Sequence, residues 1–282
     1  MRILLLLGVL AAAVFGYWKL DDSNPQIKSQ VFGYVDDLLH SGDFHTLELR
    51  YTAAQIMETQ RRDLLKSNRH KYLEPSLKFY PYLILEVKYR HNEDETREGV
   101  VLWDLTDGEM VIDTKDWQKT HGFGDCITAG ADRNEFKVLN VLARKGGTID
   151  REGLSKTLQV ENEVLDGWID SCRRKKLIVQ TGNRYRLHMQ NPQLKASPVT
   201  KIEERLVTQS HRHAERISRR YSLSQIHQLT RSAFGQDFTI RRSTDIYLPV
   251  HCISVQNPDG SIHTTHWNAL NGKRLFQAYF SD

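Results

Sequence analysis

Apolar residues recur at helical spacing through the middle of the chain. The pattern predicts three helices, one from Arg133, one after Asp150 and one from about Glu163. Asp150 suits the N-cap of the second helix, because its carboxylate can accept hydrogen bonds from unpaired helix N–H groups. Two β-prone runs then flank Gly182 and Asn183, a pair typical of a tight hairpin turn. The apolar stripes of the three helices are Phe136, Leu139 and Leu142, then Leu154 and Leu158, then Leu165, Trp168, Ile169 and Cys172.

The order of these elements in residues 132–190 resembles the winged-helix version of the helix-turn-helix. The resemblance implies a winged-helix fold and raises DNA as a ligand. The third helix argues against DNA, because Glu163, Asp166 and Asp170 lie on the side that would face the phosphates. We therefore interpret this segment as a protein-docking or spacer module. Cations that could contact nucleic acid or a partner stand at the end of the third helix and in the hairpin: Arg173, Arg174, Lys175, Lys176, Arg184 and Arg186.

Three motifs before this segment recur after it, in the same order and at nearly the same spacing. Residues 50–56 and 220–226 both begin Arg-Tyr and place Gln three positions after Thr or Ser, the pattern of a helix capping box. The other two matches are Tyr80-Pro81 with Leu248-Pro249, and 103–108 (WDLTDG) with 267–272 (WNALNG). The repetition predicts a duplicated helix–helix–β-meander unit. Two such sheets could also pair edge to edge, which would hide both edges.

Trp103 and Trp267 occupy matching positions just before the β-turns of the two units. This position favours packing inside the sheet, and a platform that binds a peptide or glycan is the alternative. Both residues are therefore candidate partner contacts.

The first residues of the chain predict a signal peptide or membrane anchor. Residues 3–18 contain no charged side chain and are followed by an aromatic and basic edge. Arg2 precedes this segment, and Lys19 after it is offset by two aspartates, so the charge bias places the bulk of the chain outside the cytoplasm. A helix is predicted from Pro25.

Composition and spacing provide few signs of catalysis. Hydrophobic residues make up 39% and charged residues 26% of the 282, which is ordinary for a globular protein. The three cysteines are widely spaced and form neither a zinc motif nor a disulfide framework. Cys126 near His121 is a candidate nucleophile, with a structural linker turn as the alternative. A four-residue loop at 257–260 would place His251 opposite His266, as two candidate metal ligands.

The sequence thus predicts an α+β protein with a membrane segment at 1–20, one α+β unit at 25–125, a winged helix at 132–190 and a second unit at 195–282. The predicted function is a membrane-attached, non-enzymatic scaffold that binds protein partners through its duplicated units. A membrane-attached transcription regulator that binds DNA is the alternative, and an enzyme built on Cys126 and His121 is a third. No cofactor or metal is predicted.

Overall fold

The computed structural model describes residues 44–275 apart from 93, 146–147, 190–191, 195–196, 212–213 and 236. The helices are α1 (Ala53–Thr59), α2 (Arg61–Leu64), α3 (Phe123–Thr128), α4 (Arg133–Lys145), α5 (Arg151–Leu158), α6 (Asn162–Arg174) and α7 (Leu223–Phe234). The strands are β1 (Phe44–Leu47), β2 (Lys71–Tyr72), β3 (Ser76–Arg90), β4 (Thr96–Asp104), β5 (Met110–Asp113), β6 (Gln118–Lys119), β7 (Ile149–Asp150), β8 (Ile178–Thr181), β9 (Arg184–Leu187), β10 (Thr208–His211), β11 (Glu215–Arg216), β12 (Thr239–Gln256), β13 (Ile262–Asn268) and β14 (Arg274–Leu275).

Eleven of the described strands join one large, curled, mixed sheet. Its centre is the antiparallel ladder between β3 and β12, and β4 and β13 extend it on either side. Two short strands pair in parallel, β1 with β12 and β11 with β3. Along β3, buried Leu85 and Val87 alternate with exposed Glu86 and Lys88, because successive side chains of a strand point to opposite faces.

The two sets of matching motifs are related by an approximate twofold axis. Tyr80 pairs with Leu248 in the β3–β12 ladder, and the sequence match aligns these same two positions. A residue can pair with its own equivalent only where the axis passes through the pair. We therefore define an N-terminal repeat, residues 44–113, and a C-terminal repeat, residues 215–275.

Each repeat places its first helices on the sheet of the other. Ile56 and Leu64 from the N-terminal repeat pack against Val255 and Trp267 of the C-terminal repeat. In the reverse direction, the buried side of α7 packs into the core formed by β3 and β4. Both capping boxes form, so α1 and α7 begin at equivalent positions with their first N–H groups satisfied.

Residues 114–205 lie between the repeats in sequence and extend the core of the N-terminal repeat. Helices α4–α6 and the small sheet of order β7-β9-β8 share one hydrophobic cluster with α7 and β4. Within this segment, Glu135 is almost completely buried, and its carboxylate accepts hydrogen bonds from Ser171 at 2.6 Å and Lys175 at 2.8 Å.

The predicted fold class is wrong. The sequence analysis gave each α+β unit its own helical cover and placed a winged helix between the units. The structure instead is mostly one large curled mixed sheet with few helices, which is a β-rich fold and not a winged-helix protein. The physical reason is that the covering helices are exchanged, so that each packs on the strands of the other repeat within the one sheet that both repeats form.

The predicted single-pass topology is also wrong for the part of the chain that the structure describes. No helix there is both long enough and apolar enough to cross a membrane. The predicted anchor at residues 3–18 and the helix predicted from Pro25 lie outside the described residues.

Candidate functional site: the open face of the C-terminal repeat

The same turn follows the tryptophan-bearing strand of each repeat. The Asp104 carboxylate accepts a hydrogen bond from the Thr106 amide at 2.8 Å, and the Asn268 side chain accepts one from the Leu270 amide at 2.9 Å. Asp and Asn favour such turns because their short side chains can bond to the backbone two residues on. A glycine with φ of 76° closes one turn, and one with φ of 68° closes the other. Both tryptophans are thus held at equivalent places.

Each repeat also forms backbone hydrogen bonds to the turn of the other repeat. The Tyr51 amide donates a hydrogen bond to the carbonyl of Ala269 at 2.9 Å. The Tyr221 amide donates one to the equivalent carbonyl, that of Leu105, at 3.0 Å. The exchanged contacts position the helix that follows each tyrosine over the opposite sheet. The repeats are therefore equivalent in the turn, in the strand before it and in the start of the covering helix.

In the N-terminal repeat, the chain itself covers the tryptophan. The ring centroid of Phe123 lies 5.4 Å from that of Trp103 and 6.4 Å from that of Phe234 at the end of α7. Ile127, one helical turn after Phe123, lies over Gly108, where an added methyl group would come within 2.7 Å of its Cδ1. Trp103 is consequently completely buried.

Glu109 fixes the start of this covering helix, α3. Its carboxylate accepts hydrogen bonds from the amides of Gly122 at 2.8 Å, Phe123 at 3.2 Å and Gly124 at 3.0 Å. These are N–H groups that a helix leaves unpaired at its N-terminus, where negative charge is also favoured by the helix dipole. In the N-terminal repeat, the residue after the turn glycine therefore anchors the helix that covers this face.

In the C-terminal repeat, no described residue covers the equivalent face as Phe123 covers Trp103, and we call this surface beside Trp267 the open face. Leu64 follows the Thr52 cap by twelve residues, as Phe234 follows the Ser222 cap, but Leu64 lies on α2, after α1 has ended at Thr59, whereas α7 is continuous as far as Phe234. Leu64, Trp267 and the turn glycine line a cavity of about 800 Å³, and among the described residues Trp267 has no ring contact like that between Trp103 and Phe123. Ile262 at the cavity is 60% exposed, although it is a large apolar residue.

The charge at the mouth of this cavity is reversed relative to the N-terminal repeat. Lys273 directly follows the turn glycine, at the position that Glu109 occupies in the other repeat. The other lining side chains that carry full charge are Asp63, Lys66 and Arg274. The open face is therefore apolar at its base and cationic along its edge.

A second cluster of charged residues lies beside the turn of the N-terminal repeat. The Lys119 ammonium group bonds to the carboxylates of Asp104, at 3.0 Å, and Asp107. The C-terminal repeat has Asn268 and Asn271 at the two carboxylate positions, and it forms the same turn. The turn itself therefore does not need the charges, which instead attach β6 to it.

Burial changes the pKa values within this cluster. Burial and the neighbouring Asp104 carboxylate raise the pKa of Asp107 to about 7. For Asp104, burial also raises the pKa, but Lys119 and the hydrogen bonds from Thr106 outweigh it and the net pKa is lowered. A carboxylate with a shifted pKa in the lining of a cavity, here Asp107 in a cavity of about 900 Å³, is a common feature of active sites. In this cluster, however, Lys119 and backbone amides already occupy both carboxylates, which favours a structural role.

Only part of the predicted basic patch is available to a ligand. Arg173 forms an ion pair with Asp170 at 3.3 Å, and Lys175 bonds to the buried carboxylate of Glu135. The remaining predicted contacts, Arg174, Lys176, Arg184 and Arg186, are exposed. Two of the six cations are therefore already paired with carboxylates of the protein, and the other four are exposed to solvent.

The predicted Cys–His pair lacks the properties of a nucleophile and its base. Cys126 is completely buried on α3, and burial together with the Glu109 carboxylate raises the pKa of its thiol well above the usual value. A thiol that holds its proton is a poor nucleophile. His121 is exposed, and its backbone bonds to that of Gln193.

The predicted pair of histidine ligands does not form. His251 faces Trp267 in the ladder, and Cys252 faces His266, because the hairpin loop spans residues 257–261 and is one residue longer than predicted. A one-residue shift of register sends a side chain to the opposite face of the sheet. The His251 ring bonds to the Tyr51 carbonyl at 2.9 Å. Within the described ranges, no three His, Cys, Asp or Glu side chains are grouped for metal binding.

Trp103 and Trp267 were predicted to be packing residues with possible partner contacts, and both are buried, at 0% and 5% exposed. Sequence reasoning missed Glu109, Phe123 and Lys273. The difference between Glu109 and Lys273 could have been found by aligning the repeats residue by residue, since both follow a turn glycine. No family model, no curated protein and no solved structure matches the chain.

Proposed function

We propose that this protein is a non-enzymatic interaction module that binds a partner protein through the open face of its C-terminal repeat. A single observation supports the proposal. The two repeats present equivalent faces, and the chain covers one of them with Phe123 while a cavity of about 800 Å³ lies over the other.

The residues at this face have the character of an interface core with a polar rim. Trp267 and Leu64 line the base of the cavity but are buried, and the apolar area that water contacts comes from Ile262, which is 60% exposed. Aromatic and aliphatic side chains in a pocket commonly provide most of the binding energy at protein interfaces. Charged side chains around them contribute more to specificity than to affinity.

DNA binding by a transcription regulator is a weaker proposal. Asp166 on α6 forms an ion pair with Arg151 on α5, so one cation near the expected groove-facing side is already neutralised. Glu163 and Asp170 are also exposed on α6 and would repel phosphates.

The proposed function is tested by affinity capture from an extract of the source organism with three forms of the full chain: the unchanged protein, Ile262→Asp and Val207→Asp. Val207 is the matched control, since it is 41% exposed and does not line the cavity. We expect one protein to be retained in equimolar amount by the unchanged chain and by Val207→Asp, and to be lost with Ile262→Asp. Equal retention by all three forms would contradict the proposal, provided that circular dichroism shows the same fold for each.

A further inference from the structure

We propose that residues 36–38, which precede the described part of the chain, bind beside Arg220. In this arrangement the Asp36 carboxylate pairs with the Arg220 guanidinium group, and the Leu38 side chain covers apolar surface next to it. The inference does not depend on the proposed function, because it concerns a different surface from the open face. Arg50, the equivalent of Arg220 in the N-terminal repeat, supplies the template.

The two arginines occupy equivalent positions on the backbone. The amide of Arg50 donates a hydrogen bond to the carbonyl of Ala269 at 2.9 Å, and the amide of Arg220 donates one to that of Leu105 at 2.9 Å. These carbonyls are equivalent, because Leu105 and Ala269 each follow the tryptophan of their repeat by two residues. Any difference between the partners of the two guanidinium groups therefore comes from other parts of the chain.

In the N-terminal repeat, the chain itself supplies acceptors for the guanidinium group of Arg50. Its Nε donates to the carboxylate of Glu48 at 3.0 Å, and its terminal nitrogens bind the carboxylate of Glu204 and, at 2.9 Å, the carbonyl of Arg205. The Arg50 side chain is consequently only 25% exposed. Leu206, two positions after Glu204, packs against the neighbouring core. An acid and a leucine two residues apart thus occupy this site together.

Arg220 lacks such acceptors in the part of the chain that the structure describes. Its guanidinium group lies 5.3 Å from the centroid of the Tyr221 ring, and within the described ranges it forms no ion pair. The position equivalent to Glu48 is Ser218, which carries no charge. Arg220 is exposed and lines the cavity of about 900 Å³. A guanidinium group in this setting suits a carboxylate, because the two can form parallel N–H···O bonds.

The acids that line the same cavity do not compensate the charge of Arg220. Asp107 binds a buried ammonium group, Glu109 accepts the amides at the start of α3, and Asp116 forms an ion pair of 3.6 Å. Asp125 lies in the first turn of α3, where the helix dipole stabilises negative charge. The fixed charges of the lining are thus balanced without Arg220, which leaves its charge for a further carboxylate.

The apolar surface at this cavity is less covered than its counterpart in the N-terminal repeat. Leu47 and Val111 are completely buried in the cluster against which Leu206 packs. Their equivalents in the C-terminal repeat, Ile217 and Leu275, belong to the same cluster but are only half-buried, and Leu275 lines the cavity. A leucine in the place equivalent to that of Leu206 would remove this apolar area from water, which is favourable.

Residues 31–39 match residues 199–207, the segment that binds the guanidinium group in the N-terminal repeat. The offset of 168 residues is also the one that relates the matched prolines of the two repeats. The segment 199–207 belongs to no helix, so we expect its match to dock without the helix that periodicity predicts from Pro25. Five of the nine positions agree in identity or character: Val31 with Val199, Tyr34 with Ile202, Asp36 with Glu204, Leu38 with Leu206, and Leu39 with Val207.

The described chain begins close enough to the site for these residues to reach it. The guanidinium group of Arg216 lies 5.2 Å from the ring centroid of Phe44, the first described residue. Ile217 is the next residue after Arg216. Six residues connect Leu38 to Phe44 and can span at most about 20 Å. Leu38 can therefore cover Ile217 while the chain continues into β1.

Proteolysis at Asp36 tests whether the segment is docked. A protease that cuts before aspartate is added to the full chain in three forms: unchanged, Arg220→Glu and Arg61→Glu. Mass spectrometry follows cleavage at Asp36 relative to cleavage at Asp259, an exposed turn residue. We expect Arg220→Glu to raise the relative rate at least threefold, because cleavage follows the population of the undocked segment. Arg61→Glu, a change at an exposed arginine of α2, should not raise it, and an unchanged rate with Arg220→Glu overturns the proposal.

A charge exchange tests the pairing itself. Arg220→Glu and Asp36→Arg should each lower stability in urea, and the double variant should exceed the additive value at least threefold in the ratio of folded to unfolded protein. The same exchange at Arg50 and Glu204 shows the coupling of an occupied site. Asp37→Arg is the matched control and should be additive with Arg220→Glu. Additivity for Asp36, or coupling at Asp37 in its place, overturns the pairing.

The outcomes are also distinguishable from those of the proposed function. Faster cleavage at Asp36 in Arg220→Glu, with equal capture of the partner by Ile262→Asp and the unchanged chain, supports the docking and contradicts the proposed function. Unchanged cleavage, with capture lost only in Ile262→Asp, overturns the docking and supports the function. Unchanged cleavage with capture lost in Arg220→Glu assigns the site to an acidic partner and overturns the docking.

Discussion

At the scale of single residues, comparing the two turns shows which side-chain contacts the turn itself needs and which belong only to the charged cluster around Lys119. Asp104 and Asn268 both accept the hydrogen bond from the amide two residues on, so either side chain satisfies the turn. The carboxylates of Asp104 and Asp107 go further and surround the buried ammonium group of Lys119. Two carboxylates thus share one cation, and the pair holds a proton more tightly than a single ion pair would.

This cluster makes stability depend on pH. The pKa of Asp107 is raised from 3.8 to about 7 in the folded protein, so its contribution is fully present below about pH 4 and is lost as the pH rises through 7. Asp107→Asn should abolish this loss, so that the free energy of unfolding falls less between pH 4 and pH 8 than it does in the unchanged protein. The difference is at most about 4 kcal/mol, at 1.36 kcal/mol per pKa unit.

Urea unfolding at pH 4, 6 and 8 measures this difference. Asp259→Asn is the control, because Asp259 is an exposed turn residue whose pKa is lowered by hydrogen bonds from Ser261. Its contribution is present above pH 4 and lost only below it, so the control should match the unchanged protein between pH 4 and 8. Parallel curves for Asp107→Asn and Asp259→Asn would contradict the assignment.

At the scale of elements, equivalent strands have different environments in the described part of the chain, because α3 covers the tryptophan of the N-terminal repeat. The strands β4 and β13 each place a tryptophan one residue before the turn. On β4 the tryptophan is covered by Phe123 of α3, and on β13 it lines the cavity. The covering segment thus accounts for the difference between the two faces.

Truncating the two tryptophans should therefore give unequal effects. Trp103→Ala should lower the free energy of unfolding by roughly 3–5 kcal/mol, the range for large aromatic residues in a packed core. Trp267→Ala should cost less, because the side chain already borders a cavity and loses fewer contacts. Urea unfolding of both variants measures the order, and an equal or reversed order would contradict our account of the open face.

At the scale of the whole molecule, the charges of residues 132–190 are divided between the fold and the surface. Lys175 neutralises the buried Glu135, whereas Arg174, Arg184 and Arg186 remain exposed. We expect from this division that duplex DNA meets a small patch of cations flanked by the acids of α6. Such a patch can contact phosphates but has few groups that read bases.

The full chain should accordingly bind a random-sequence duplex library weakly, with a dissociation constant of roughly 10⁻⁴–10⁻⁶ M, and steeply less at higher salt. Replacing Arg184 and Arg186 by Ala should weaken binding further, while Arg61→Ala, a change at an exposed arginine of α2, should not. Binding is measured by titration at two salt concentrations. Enrichment of one sequence that persists at the higher salt would instead favour the regulator.

The local sequence determined those features whose partners lie within a few residues. The capping boxes at Thr52 and Ser222 and the two turns ending in Gly108 and Gly272 form as their residue types predict. Their repetition revealed the matching motifs, because a capping box or a turn is satisfied by its own short segment. Glu109, Phe123 and Lys273 were missed because their contacts are not local. The carboxylate of Glu109, for example, accepts hydrogen bonds from amides thirteen to fifteen residues away.

Only the tertiary structure decided how the repeats combine. The pairing of Tyr80 with Leu248 and the exchange of covering helices depend on contacts between residues far apart in the chain. Hydrophobic periodicity shows that a strand or helix has an apolar face, but it does not show which surface will cover that face. The pairing that forms is set by contacts across the whole sheet, and these contacts join residues far apart in the chain.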